Sequence, residues 1–273
     1  MRVSLAEQLR DVLLHQHLDA VDALLSESPG VLTQFLPEPR PWGEEQWLAV
    51  HYAAWLGDAS AMRLLLRHGA GVDSRTRFDT PLHARETALS IAARSGHAMT
   101  AAVLMEHGAE PEVRDANNLS PLAHAARGGY IELVDLLIQH AVMVDPIDDQ
   151  QRTPLHLAIY GSDASLPPHN DPHAKDATRP ASPVDHPACA QALIEAQANI
   201  NHLCPKEPDG YTPLHRCCAV GDAHLPTAKR LLEKGAESHH PDPRFGHTAL
   251  DLARDLHRPA FVALLSSFNP PRP

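Results

Sequence analysis

One hexapeptide recurs along this chain and constrains what it can fold into: Thr153-Pro154-Leu155-His156-Leu157-Ala158. Thr212-Pro213-Leu214-His215 is a second copy and Ser120-Pro121-Leu122-Ala123 a third. Taking the fourth motif position as an anchor gives Arg10, His51, Ser90, Ala123, His156, His215 and Asp251, at spacings of 41, 39, 33, 33, 59 and 36 residues. The two spacings of 33 lock the period, and every departure from it is an insertion, as expected where extra residues sit in surface loops. Self-similarity at a fixed period of this length marks an array of stacked units, none of which buries enough apolar surface alone.

Seven units are predicted, at about 4–30, 47–73, 86–112, 119–145, 152–201, 211–239 and 247–268, within a single repeat domain. The first opens on the capping-box pattern Ser4-x-x-Glu7 and lacks the motif, as a terminal cap should. Residues 31–46 hold Pro37, Pro39 and Pro41 and are expected to form an irregular connection. The stretch Thr80-Pro81-Leu82-His83-Ala84 also spells the motif, but Gly96-His97 follows Ser90 at the spacing seen elsewhere, so the stretch belongs to a lengthened loop. Asn118 fills a turn slot that asks for positive φ, which Asn tolerates. Ala141 stands where a glycine ends the second helix, so a different cap is expected there. The fifth unit is interrupted by 162–184, rich in Pro, Asp, His and Ala, before it resumes at Asp185-His186-Pro187. A polar tail, 269–273, closes the chain.

These residues resemble the ankyrin repeat, whose signature is T-P-L-H-x-A on a helix-turn-helix unit of about 33 residues. The resemblance covers nearly the whole chain. It implies an all-α solenoid of helix-turn-helix units with short β-hairpin-like finger loops. In that family Thr caps the first helix with Pro at its first position, Leu packs inward, and His bridges loop backbone groups between neighbours. An Ala pair lets helices approach closely. The family supplies no catalytic residues to carry over.

Composition narrows the function classes. A formal charge of −11 argues against nucleic acid as main partner, since phosphate neutralisation needs a basic face. No run of 18 apolar residues is present and charged residues break up the N-terminus, so neither a membrane span nor a signal peptide is expected. Four scattered Cys make no disulfide framework, which points to a reduced, cytoplasmic protein. The excess of Arg (19) over Lys (4) fits a GC-rich, bacterial genome.

The 20 His residues invite a metal or catalytic reading. Seven have slots in the repeat pattern: His51, His156 and His215 in the motif, His97 after the glycine, and His68, His107 and His140 before the turn. His202, Cys204, His215, Cys217, Cys218, His239 and His240 follow no zinc spacing. Cys217 and Cys218 occupy the Ala-pair slots and Cys189 a Val slot, so they read as small buried hydrophobes. His169, Asp171 and His173 read as solvated loop. No nucleophile elbow, phosphate loop or H-E-x-x-H motif is present, and no metal or cofactor is expected.

What remains is a binding surface. The slot two residues after the first Ala of each pair, expected to be exposed, reads Trp55, Arg94, Arg127, Tyr160, residue types enriched at interface hot spots. Beside it lie Trp42 and Trp47, which equally well pin their own loop, and the finger residues Arg75, Arg77, Phe78 and Arg85. Asp115, Asp148 and Asp149 suggest acidic middle fingers, so the concave face is expected to run from aromatic and basic to acidic. The expectation is a non-catalytic scaffold or inhibitor, monomeric or weakly oligomeric, that binds a partner protein. A secreted effector engaging host proteins and a metal-dependent module in the His/Cys-rich C-terminal half stand as alternatives.

Overall fold

A computed structural model describes residues 4–36, 47–77, 85–161, 184–206 and 210–268. Among these the regular structure is helical, with isolated β-bridges in place of strands. The described residues form two compact units that divide between Pro121 and Leu122.

The first unit holds three helix pairs: α1 (Leu5–Leu14) with α2 (Leu18–Glu27), α3 (Ala49–Leu56) with α4 (Ala59–Arg67), and α5 (Ala88–Ser95) with α6 (Ala98–Glu106). The first helices α1, α3 and α5 pack in one row and the second helices α2, α4 and α6 in another. Ser4 and Glu7 close the capping box at 2.7 and 3.2 Å and so start α1 as its sequence asks. The Ala53-Ala54 and Ala92-Ala93 pairs are fully buried, which lets adjacent first helices pack closely.

The second unit contains α7 (Pro121–Gly128, whose first residue lies at the division), α8 (Ile131–Gln139), α9 (Pro154–Tyr160), α10 (His186–Glu195), α11 (Pro213–Val220), α12 (Leu225–Glu233), α13 (Ala249–Asp255) and α14 (Pro259–Phe268). Here α9, α11 and α13 pack in one row and α8, α10, α12 and α14 in another. After the interruption the chain rejoins by the bridge Tyr130–Val184 and the bond from Asp185 N–H to Gly129 O, 2.8 Å. Asp185 then caps α10 through Ala188 N–H at 2.9 Å, with Pro187 in the first turn.

Of the two turn positions singled out in the sequence, one meets its expectation and one does not. Asn118 has φ +63°. Ala141 differs from expectation: it takes φ +54°, the left-handed region that Gly69, Gly108 and Gly235 use at the same turn, so the cap is kept and the methyl bears the strain. The decoy 80–84, the loop 162–183 with His169, Asp171 and His173, the prolines of 37–46 and the tail 269–273 lie outside the described residues. The first helix of the third repeat begins after Thr87, whose hydroxyl accepts from Ser90 N–H.

Candidate functional site

The motif side chains are engaged with the backbone. Nε2 of His51, His156 and His215 meets the carbonyl oxygens of Ser74, Tyr211 and His247 at 2.9, 3.3 and 3.1 Å. The opposite ring nitrogen meets Thr153 Oγ1 at 2.9 Å in His156 and Thr212 Oγ1 at 2.7 Å in His215. In His51, where Leu48 replaces the capping Thr, Nδ1 accepts from the Leu48 backbone N–H at 2.9 Å. All three rings are buried. Burial holds them neutral, lowering His51 to about 4 and His156 to about 3, with His215 lowered as well.

The other patterned histidines are structural too. His97 Nε2 reaches Trp55 O at 3.0 Å, and His107 and His140 Nδ1 meet the carbonyls of Val103 and Leu136 at 2.8 Å. His68 Nε2 lies 2.7 Å from Asp22 Oδ1. In the C-terminal half His202 Nε2 meets Gln151 O at 2.9 Å. The four cysteines are buried. Burial pushes Cys189 and Cys218 up to about 12 and Cys217 well above its ordinary value, so these thiols stay protonated.

The sequence-derived surface is partly rearranged. Trp55 is 5% exposed, against the exposure expected of its slot. It packs edge-on against Trp47, ring centres 6.2 Å apart, and Trp47 also meets Tyr52 at 5.4 Å. Trp47 is itself buried and forms a β-bridge with Leu36. Two neighbouring indoles gain more by covering each other than by facing water. Arg94 pairs with Glu86 at 3.1 Å, and Arg127 and Tyr160 are half-buried. Arg75 and Arg77 are exposed; Arg75 donates to Arg114 O at 3.5 Å and Arg77 lies 5.3 Å over the Phe35 ring. Trp42 and Phe78 lie outside the described residues.

The acidic fingers also need correction. Asp148 is 3% exposed, and its carboxylate accepts from Gln150 N–H (2.9 Å), Arg152 N–H (2.8 Å) and Arg152 Nε (2.8 Å). Asp115 holds its finger likewise through Asn117 and Leu119 N–H at 2.8 and 2.9 Å. Asp242 holds a later one through Arg244, Phe245 and His247 N–H. These carboxylates build the fingers; of the acidic residues expected to face a partner, Asp149 is the exposed one, and its carbonyl accepts from Lys206 Nζ at 3.0 Å.

Sequence reasoning missed a cationic-aromatic cluster in the second unit. Arg216 lies 4.3 Å over the Tyr160 ring and 5.2 Å from that of Tyr211, and Arg152 lies 5.8 Å over Tyr160. Its signal was present: Arg216 follows the motif His at a slot that holds Tyr52, Ile91 and Leu157 in other units.

With this geometry in hand, three comparisons bear on the chain. A family model described as "Ankyrin repeats (3 copies)" matches residues 12–115, 89–166 and 181–270. The protein named "Putative palmitoyltransferase ZDHHC13" from Danio rerio is 27% identical over 225 residues, covering 82% of this chain and 30% of that protein. The chain thus spans under a third of the length of the curated relatives it first matches. Among solved structures, the human ASB11 ankyrin repeat domain aligns with a TM-score of 0.70 at 23% identity, covering 97% of this chain and 99% of that one. The ankyrin repeat domain of Bcl-3 aligns at 0.68 and 21% identity, covering 94% and 97%. At these identities the structures speak for the fold alone.

Proposed function

The chain belongs to the ankyrin-repeat family, and on that premise we propose that it is a non-catalytic protein-binding module, acting on its partner as scaffold or inhibitor through its concave face and finger loops. Ankyrin repeats are generally protein-interaction modules. One observation carries the reading for this chain. The motif His side chains and the finger carboxylate of Asp148 are committed to backbone groups, while Arg75, Arg77 and Asp149 are exposed on the fingers. Exposed charges on braced loops suit orientation of a specific partner.

The palmitoyl transfer in the name of the Danio rerio relative is not assigned here, because the match spans 30% of that protein and the four thiols of this chain are buried. Among the described residues no helix is long and apolar enough to cross a membrane.

The test reverses the three exposed finger charges together, Arg75→Glu, Arg77→Glu and Asp149→Lys, after circular dichroism and melting show the fold intact. The expected result is loss of a protein captured by the natural chain from lysate. Capture of the same protein to the same extent would place the interface elsewhere.

A further inference from the structure

The hairpin finger between the second and third repeats carries three arginines in an arrangement that stacking does not ask for. Arg75 forms a β-bridge with Thr87, and Thr76 N–H donates to Glu86 O at 3.0 Å, so the register sets Arg77 across from Arg85. Thr76 is buried, whereas Arg75 and Arg77 on either side of it are exposed, as is Arg85. Like charges directly opposite on a hairpin repel. Arg85 adds a second cost, because its φ of +87° lies in a region that disfavours a residue with a Cβ. A finger shaped only for stacking needs neither.

The three guanidiniums are open. None of them meets a carboxylate among the described residues: Arg75 Nη1 donates to Arg114 O at 3.5 Å, Arg77 lies 5.3 Å over the Phe35 ring, and Arg85 stands in solvent. The contact with Phe35 engages a π face of Arg77 and orients it. Anion recognition uses the in-plane N–H fork instead, which that contact leaves available.

The carboxylates around the finger are engaged elsewhere. Glu86 pairs with Arg94 at 3.1 Å, Asp73 accepts from Glu110 N–H at 3.0 Å, and Asp115 accepts from Asn117 and Leu119 N–H. Residues 71–95 hold four arginines against three carboxylates, in a chain of net charge −11. The exposed Glu110 belongs to the next finger, so the basic patch is no wider than one hairpin. That extent selects the ligand. A nucleic acid needs a basic face that tracks many phosphates, and a run of carboxylates would meet Glu110. A single dianionic group meets only the arginines, and the three acceptor oxygens of a phosphoryl group match several guanidinium forks.

We propose that Arg75, Arg77 and Arg85 form a docking site for one phosphorylated side chain of a partner protein, whose phosphoryl oxygens accept from the guanidinium N–H groups of this hairpin. The proposal rests on the protein-binding reading above and names the partner's chemistry.

The test is an NMR titration of the full 15N-labelled chain with a short acetylated glycine-rich peptide carrying one phosphoserine. Parallel titrations use the same peptide with serine or glutamate in that place, and a short thymidine oligonucleotide. The phosphopeptide is expected to give saturable shifts at Arg75, Arg77 and Arg85, the serine peptide to leave them unmoved, and the glutamate peptide to bind about tenfold more weakly or worse. In Arg77→Gln the phosphopeptide affinity falls about tenfold or more, the worth of one charge-assisted hydrogen bond. In Arg63→Gln, which removes an exposed arginine of α4, it is unchanged. Arg77→Gln is expected to melt no lower than the natural chain, because it relieves the repulsion with Arg85. Shifts absent in the natural chain, undiminished in Arg77→Gln, or matched by the glutamate peptide overturn the proposal, as does tighter binding of the oligonucleotide at the same residues. Should Arg77→Gln lose its fold, Arg85→Gln supplies the readout, and undiminished binding by it overturns the proposal. If the phosphopeptide fails while the finger-charge variant still loses its captured protein, only the phosphate assignment falls.

Discussion

Asp148 shows how easily a finger carboxylate is mistaken for a recognition group. Its position in a loop and its charge are those of a partner contact, yet two backbone N–H groups and the Arg152 guanidinium surround it. Removing a buried acceptor leaves those donors unsatisfied, which costs about 1–3 kcal/mol. Asp148→Ala is therefore expected to lower the urea-denaturation free energy by that amount. A surface contact residue would leave it within about 0.5 kcal/mol, so the measurement separates the two roles. Trp55 teaches the same lesson from the apolar side: its slot predicts exposure, and the neighbouring Trp47 reverses the outcome. A slot rule carries no information about what a large side chain finds within reach.

At the level of helices, the joint between α3 and α4 shows how consecutive repeats lock. Gly57 ends α3 at φ +69°, and the His97 ring of the next repeat lies over it on its way to Trp55 O at 3.0 Å. A methyl group at Gly57 would stand 2.5–2.7 Å from three atoms of that ring. Gly69 is the natural control, with φ +90° and nothing within 4 Å of the same added atom. Both Gly57→Ala and Gly69→Ala bear the left-handed backbone cost of roughly 1–2 kcal/mol. Gly57→Ala is expected to lose measurably more in chemical denaturation, because the ring must move and its hydrogen bond with it. Equal losses would mean that His97 contributes nothing to the joint.

For the whole molecule, the repeat architecture makes acid a shared weakness. His51, His156 and His224 are lowered to about 4, about 3 and about 4, with His186 and His215 also lowered, and burial is the leading cause in each. Their folded-state values lie below the unfolded value of 6.5, so the unfolded chain binds more protons as the medium turns acid. The contribution of these rings is full above that value and is lost as pH falls from 6.5 towards 4. At roughly 1.4 kcal/mol per pH unit, a ring lowered to about 4 accounts for about 3 kcal/mol at most, and His156, lowered to about 3, for about 5. Urea midpoints are expected to drop steadily from pH 7 to 4.5; a flat profile would mean that the rings are not held neutral.

Much of this was legible in the sequence. The two spacings of 33 fix the frame, and the His of the two full copies announces the bridges to neighbouring loops, with Thr212 capping its helix as its slot asks. The candidate surface was less legible, since exposure depends on neighbours that the period does not specify. Arg216 was readable only by comparing one slot across repeats, where a charge replaces Tyr, Ile or Leu.

The bridging histidines have a consequence for how such a chain can change. Each one ends on a main-chain oxygen, at Ser74, Tyr211 or His247, and not on a side chain. Every amino acid offers that oxygen. The side chains of the recipient loops are thereby released from the duty of holding the stack, so one part of the text can be rewritten while the grammar stays intact. Variation in such proteins can gather where the partner is met, at almost no risk to the frame that presents it.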